Sequence, residues 1–176
     1  MMPYREVAPM PTRLVTFGKC RCLGDAADDG TDATGQIVFS RLFCAGDHQT
    51  RAVLRELTDT LQGLGISAED VSNAELVIAE ALNNIAEHAY VEGSGAVEMI
   101  VACDDCGLSC EIADQGRPMP KGVVPMPELP LIEPPDHLPE GGFGWHIIRC
   151  LTTDLAYRRG NGRNTLSMRL PWSEIA

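Results

Sequence analysis

The stretch LVIAEALNNIAEHAY, from Leu76 to Tyr90, decides the fold of this chain because it continues a long amphipathic helix pattern. Apolar residues recur there at intervals of three and four, which is typical of a helix with one face in a core. The apolar positions are Val71, Ala74, Ile78, Ala81, Leu82, Ile85 and Ala89. Ser67 and Asp70 form the S-x-x-D pattern of a capped helix start, so we predict a helix from Ser67 to about Tyr90.

Two polar residues of this helix, Glu80 and Asn84, lie roughly opposite the apolar stripe and one turn apart. The i, i+4 spacing places both side chains on the same face, where they can reach one centre of metal and phosphate. Periodicity alone favours the simpler interpretation, which is an exposed polar face without a ligand. Segments further along the chain decide between the two.

The next segment is IADQGRPMP, from Ile112 to Pro120. Two strands joined by a turn are predicted before Asp114, at Val97 to Ala102 and at Leu108 to Ala113. Asp114 then ends the second strand, where a carboxylate in a loop is well placed to contact a ligand. The proline-rich segment that follows, from Arg117 to Glu140, is typical of a lid or a binding loop.

The third segment is EGGFGWHII, from Glu140 to Ile148, which places glycines directly before a predicted helix at Trp145 to Leu151. Gly142 and Gly144 can let backbone N–H groups approach phosphate oxygens, and a helix N-terminus favours the negative charge. By itself this pattern fits a flexible hinge equally well. The order and spacing of the segments instead favour a nucleotide pocket.

The remaining pattern predicts one α+β domain, residues 37–176, preceded by a poorly patterned arm, residues 1–36. A strand is expected at Ile37 to Cys44, followed by an amphipathic helix for which Asp47 is the predicted N-cap. A closing hairpin is expected between Ala156 and Leu170. Helices packed on one face of a mostly antiparallel sheet satisfy this order of elements.

Composition excludes several classes of function. The formal net charge of −11 opposes direct binding to nucleic acid. No long apolar run and no secretion signal occurs, so neither a membrane span nor export is expected. Seven cysteines in a chain of 176 residues do not form the pattern of a disulfide framework, which favours a reducing cytoplasm. Cys103 and Cys106 lack the second pair that would complete a zinc site, so we expect thiols there.

The quoted segments resemble those of the small bacterial anti-sigma-factor serine/threonine kinases, a family within the histidine-kinase-like ATPase superfamily. The resemblance runs from about Val38 to Leu170 and is most specific at Glu80 to Tyr90, Asp114 to Pro118 and Gly141 to Ile148. It implies a Bergerat-type two-layer sandwich, with helices on one face of a mostly antiparallel mixed sheet. No G-x-x-x-x-G-K-[ST] motif occurs, so P-loop chemistry is not expected.

The resemblance also implies roles for individual residues, with ATP and Mg²⁺ as cofactors. Glu80 matches the catalytic glutamate, and Asn84 matches the asparagine that binds Mg²⁺ through its side-chain oxygen. Asp114 matches the aspartate that accepts a hydrogen bond from the adenine amino group, and Gly116 leaves space for the base.

Four further positions follow from the same resemblance. Gly142 and Gly144 match the lid glycines that let the backbone approach the phosphates. Thr165 matches a strand threonine that supports the adenine-binding aspartate. His88 falls within the family motif, which favours a local packing or pocket role over a role as phosphoacceptor.

The function implied is that of a cytoplasmic serine/threonine protein kinase that sequesters a sigma factor and phosphorylates an anti-anti-sigma protein on serine. A homodimer is expected by analogy with the family. An alternative is an ATP-binding switch that sequesters a partner protein without phosphorylating it. A third interpretation, phosphotransfer through a histidine, is poorly supported because Asn84 and the glycine-rich lid are both retained.

Overall fold

The helices and strands follow the predicted order in the computed structural model, which describes residues 15–16, 34–91, 93–126 and 143–173. The helices are α1 (Asp47–Gly63), α2 (Ala68–Asn84) and α3 (Gly144–Leu151). The strands are β1 (Val15–Thr16), β2 (Thr34–Cys44), β3 (Ala96–Asp104), β4 (Gly107–Asp114), β5 (Thr153–Gly160) and β6 (Arg163–Pro171). No helix in these segments is long and apolar enough to cross a bilayer.

The strands form one sheet in the order β1-β2-β3-β4-β6-β5, and every described pairing is antiparallel. The register aligns Met99, Ile112 and Leu166 across three strands, so these side chains share one face. They belong to the same buried cluster as the apolar residues of the helices. This arrangement confirms the predicted two-layer α+β sandwich, although the described strands contain no parallel pair of the kind that a mixed sheet would have.

Helix α2 supplies much of the core, as its apolar stripe predicts. Ala74 and Ile78 are fully buried, and Ala81 and Leu82 are nearly so. The Ser67 side chain caps the helix by accepting a hydrogen bond from the Asp70 backbone N–H at 3.1 Å.

The predicted end of this helix is wrong in one respect. The α-helix stops at Asn84, and a π-helical turn, Ile85–Ala89, continues it. Side-chain periodicity cannot distinguish the two forms over a single turn, because one turn holds too few apolar positions to fix the repeat.

Tyr90 fixes the end of the π-helical turn to the sheet. Its hydroxyl donates a hydrogen bond to the Ala96 carbonyl at 3.1 Å and accepts one from the Gln115 N–H at 3.0 Å. The Arg117 N–H donates to the Ala89 carbonyl at 3.0 Å. The C-terminal end of the helical segment therefore lies beside the loop that leaves β4.

A second polar anchor lies at the β3–β4 turn. The Arg169 guanidinium forms a short ion pair with the Asp104 carboxylate and donates to Ser109 Oγ at 2.8 Å.

Nearby, Cys103 is a free thiol whereas Cys106 is disulfide-bonded, which corrects the expectation of two thiols.

The predicted arm is described at only a few positions. Val15 and Thr16 pair with Gly35 and Thr34, and β2 begins at Thr34, before the predicted start of the strand at Ile37. The division of the chain at residue 36 stays a prediction.

Replacing Asp104 with Asn should destabilise the fold by roughly 1–3 kcal/mol at pH 7, because the Arg169 guanidinium would lose its charged partner. Burial raises the pKa of the Asp104 carboxyl, but hydrogen bonds from Arg169 and from the Cys106 N–H outweigh it and lower the net pKa. Because the pKa is lower in the folded state, the ionised Asp104 stabilises the fold at every pH above its unfolded-state pKa, about 3.9. This stabilisation disappears as the pH falls through the folded-state pKa.

Urea unfolding at pH 7 and in the acid range below pH ~4 measures this effect. The difference between the wild type and the Asp104→Asn variant should shrink in acid. Asp105→Asn is the matched control, since Asp105 is the exposed neighbour. An equal loss of stability in both variants, or a loss independent of pH, would contradict the assignment.

Candidate functional site

Two adjoining cavities lie between α2, the loop after β4, and the start of α3. Their volumes are about 350 and 460 Å³, and three residues, Asn84, His88 and Trp145, line both. Volumes of this size suit a small organic ligand. The shared walls join the two cavities into one site with two compartments.

The first compartment is polar and contains Glu80 and Asn84. Both side chains are half-buried, and the Asn84 amide donates a hydrogen bond from Nδ2 to the Glu80 carbonyl at 2.7 Å. That bond uses the donor end of the amide, so Asn84 Oδ1 remains available to accept or to coordinate. The predicted pair therefore lines one cavity, as the helical spacing requires.

The first residue of α3, Gly144, closes this compartment from the opposite side. A Cβ atom built on Gly144 would lie 2.5 Å from Glu80 Oε2 and 3.6 Å from Asn84 Nδ2. Only a residue without a side chain allows the backbone to approach the carboxylate this closely. Gly144 thus meets both members of the predicted pair, whereas Gly142 lies outside the described residues and stays a prediction.

The donor set of this compartment fits Mg²⁺ only together with phosphate. The carboxylate of Glu80 and the amide oxygen of Asn84 are hard oxygen ligands of the type that Mg²⁺ prefers. Within the described segments, no cluster of three or more His, Cys, Asp or Glu side chains is arranged to hold a metal. Mg²⁺ commonly completes its coordination with substrate phosphates and water, and Asn84 is placed to contribute one ligand in that way.

The second compartment is mainly apolar and contains Asp114 at the end of β4. Its walls include Ile85, Met119 and Leu166. Asp114 is only 5% exposed, and its Oδ1 atom accepts a hydrogen bond from the Gly116 N–H at 2.7 Å. A buried carboxylate among apolar side chains is the arrangement expected for recognising one polar edge of a flat ligand.

Gly116 is required by a close contact between this loop and the π-helical turn. A Cβ atom at Gly116 would lie 2.6 Å from the Ala89 carbonyl oxygen and 2.7 Å from Ala89 Cβ. The backbone itself would have to move to accept a side chain. Gly116 therefore keeps Asp114 next to the helix that carries Asn84.

Asn164, and not Thr165, makes the direct contact with Asp114. In the β4–β6 register Asn164 lies opposite Asp114, whereas Thr165 lies opposite Ala113. Successive strand residues point to opposite faces, so the Thr165 side chain is directed away from the helices and the cavity. Asn164 Nδ2 donates to Asp114 Oδ1 at 2.8 Å.

Two residues of the edge strand β5 complete this polar group and were missed by sequence reasoning. The Tyr157 hydroxyl and the Arg159 guanidinium both donate to Asn164 Oδ1. Their signal in the sequence is weak, because an alternating strand with charged residues is typical of any exposed edge. Only the register of the closing hairpin places them beside Asp114.

Comparison with known proteins identifies the family. The model of the histidine kinase-like ATPase domain family matches residues 43–170. A serine-protein kinase RsbW from Bacillus thuringiensis (strain Al Hakam) is 28% identical over 108 residues, covering 58% of this chain and 66% of the relative. An RsbW from Bacillus mycoides (strain KBAB4) is likewise 28% identical over 105 residues. The match thus spans just under two thirds of these relatives' length.

A solved structure shares the fold. The crystal structure of the RsbU and RsbW domains of Rv1364c from Mycobacterium tuberculosis superposes with a TM-score of 0.54 at 18% identity, covering 78% of this chain and 33% of that one. The family model covers most of the chain and includes Glu80, Asn84, Asp114 and Gly144. The chain belongs to the histidine kinase-like ATPase domain family.

Proposed function

We propose that this protein is an ATP-dependent serine/threonine protein kinase that acts on a protein partner. The observation that carries the proposal is the meeting of Glu80, Asn84 and Gly144 in one compartment, joined to a second compartment that contains Asp114. A carboxylate can take the proton of an acceptor hydroxyl, and an amide oxygen beside it can hold the Mg²⁺ that phosphoryl transfer uses. The relatives named serine-protein kinase support the same class of reaction.

Each residue has a distinct task in this proposal. Asp114 binds the adenine base by accepting a hydrogen bond from its amino group. Asn84 would hold Mg²⁺ through Oδ1, and the bound ion would neutralise charge on the phosphates. Glu80 orients the acceptor hydroxyl and takes its proton as the hydroxyl oxygen bonds to the γ-phosphorus. ADP leaves with the electron pair of the bond that breaks.

The proposed acceptor is a serine of an anti-anti-sigma protein, and the proposed second partner is a sigma factor. Both follow from the family resemblance, as do a homodimer and a cytoplasmic location. The formal net charge of −11 supports protein rather than nucleic-acid partners, because nucleic acid would be repelled.

Glu80→Gln should abolish phosphoryl transfer while preserving ATP binding. The amide keeps the shape of the side chain but cannot accept the proton, so the transfer rate should fall by roughly 10²–10⁴-fold. Incubation with radiolabelled ATP, Mg²⁺ and a candidate anti-anti-sigma protein, followed by mapping of the labelled serine, measures transfer. Titration calorimetry measures binding.

Glu75→Gln is the control, because Glu75 is exposed on the same helix and does not line either cavity. Transfer at a near-normal rate by the Glu80 variant would exclude Glu80 as the base. A wild-type chain that binds ATP and forms a tight complex with its partner, but leaves no label on it, would instead identify a binding switch.

Gly144→Ala should reduce transfer without unfolding the protein. The new Cβ atom would displace the Glu80 carboxylate, which is the end of a flexible side chain and can move at little cost to stability. Misplacing a catalytic group by about 1 Å can cost on the order of 100-fold in rate. Thermal unfolding and the transfer assay on the same preparation separate the two effects.

Gly63→Ala is the matched control, since its Cβ atom would meet nothing within 4 Å. That variant should retain activity and gain about 0.5–1 kcal/mol of stability, because Gly63 is helical. Equal activity in the two variants would show that Gly144 does not govern the position of Glu80.

A further inference from the structure

A polar group behind Asp114 is more elaborate than a simple support for one carboxylate would need to be. Its centre is Asn164, which is only 4% exposed. Asn164 Nδ2 donates to Asp114 Oδ1 at 2.8 Å and lies 3.2 Å from the Arg117 carbonyl oxygen and 3.4 Å from that of Gly116. All of these partners are acceptors, so the amide must present its nitrogen to the base-binding loop.

Two donors on the other side of Asn164 enforce this orientation. The Tyr157 hydroxyl donates to Asn164 Oδ1 at 2.7 Å, and the Arg159 guanidinium donates to the same atom. If the amide were flipped, its NH₂ group would face the donors of Tyr157 and Arg159. Its oxygen would then face the Asp114 carboxylate. Only one orientation of the Asn164 amide therefore satisfies its hydrogen-bond partners.

The same two residues also hold the loop that follows Asp114. The Tyr157 hydroxyl accepts a hydrogen bond from the Met119 N–H at 3.1 Å. Arg159 donates to the Gly116 carbonyl at 3.1 Å. The edge strand β5 thus fixes both the amide behind the carboxylate and the backbone beside it.

One of the two carboxylate oxygens of Asp114 is therefore already hydrogen-bonded within the protein. Oδ1 receives hydrogen bonds from the Gly116 N–H and from Asn164, and Asp114 lines the apolar compartment. An ionised carboxylate can only accept, so its second oxygen can serve a ligand that donates. A base with an amino group at its recognised edge satisfies this need, whereas a base with a carbonyl oxygen there would face a second acceptor.

We propose that Asn164 sets the base selectivity of this pocket by holding Asp114, and that Tyr157 and Arg159 are positioning residues that act through Asn164. The inference rests on the proposed nucleotide binding. It assigns to Asn164 the task of holding the Asp114 carboxylate in one orientation. Loss of the amide donor would leave a buried carboxylate oxygen with one hydrogen bond fewer, so the Asp114 carboxylate would rotate. That rotation would let the pocket tolerate a carbonyl group on the base.

The test compares the dissociation constants of Mg-ATP and Mg-ITP. Their bases differ at position 6, where ATP has an amino group and ITP a carbonyl oxygen, and at N1, which carries a proton only in ITP. Titration calorimetry on the full chain gives both constants, and the fitted stoichiometry reports the active fraction of each variant. The ratio of the two constants is independent of that fraction, so it would not move if a substitution only reduced the amount of folded protein.

The wild type should bind Mg-ATP much more tightly than Mg-ITP. In Asn164→Ala, this preference should fall at least tenfold. Tyr157→Phe should lower it severalfold in the same direction, and this conservative variant keeps the test decisive if Asn164→Ala fails to fold. Ser167→Ala is the control, because Ser167 lies on the same strand and is not among the residues that line either cavity.

An unchanged preference in both the Asn164 and Tyr157 variants would overturn the inference. The inference would also be overturned if Thr165→Val lost the preference for Mg-ATP and Asn164→Ala retained it. The selectivity would then depend on the opposite face of the strand. These outcomes leave nucleotide binding intact. A wild-type chain that binds neither nucleotide would refute the proposed function itself, and the inference with it.

Discussion

The contact between Ala89 and Gly116 is the constraint on which the site depends. The two compartments belong to different layers, since Glu80 and Asn84 belong to helix α2 and Asp114 ends a strand. A backbone hydrogen bond from Arg117 to Ala89 and the absence of a side chain at Gly116 bring these layers together. Any side chain at Gly116 would separate the Asp114 carboxylate from the Asn84 amide, the two groups proposed to bind the base and Mg²⁺.

The contact is made by the last residue of the π-helical turn, Ile85–Ala89. This wider turn begins directly after Asn84, which ends the α-helix, and Ala89 contacts the loop after β4. Such turns occur frequently at functional sites. The helix thus has two tasks along its length, first packing the core and then joining the compartments.

Much of this could be predicted from the sequence because the decisive residues lie in regular elements. The apolar stripe that contains Ile78 and Leu82 fixes which face of α2 is buried, and hence where Glu80 lies. The position of Asp114 follows from a strand that ends in a carboxylate. The π-helical turn could not be predicted, since five residues are too few to reveal a change of period.

The contact between Asn164 and Asp114 could not be predicted for a different reason, and the supporting role of Thr165 stays a prediction. Neighbouring strand residues point to opposite faces, so a shift of one residue in assigning a role changes the face entirely. Register is set by the pairing of β4 with β6, which are separated by residues 115–162 of the chain, and no local pattern encodes it. The contributions of Tyr157 and Arg159 depend on the same pairing and were hidden for the same reason.

Helix α2, the end of β4 and the start of α3 form the proposed nucleotide site, and Trp145 is placed to report on its occupancy. Trp145 lines both compartments, and the chain has one other tryptophan, Trp172, which donates from Nε1 to the Asp104 carbonyl at the β3–β4 turn. In a Trp172→Phe variant, titration with Mg-ATP should produce a saturable change in Trp145 fluorescence, and Mg-GTP should produce none. Fluorescence that stays constant up to millimolar Mg-ATP, with no heat of binding, would contradict the account.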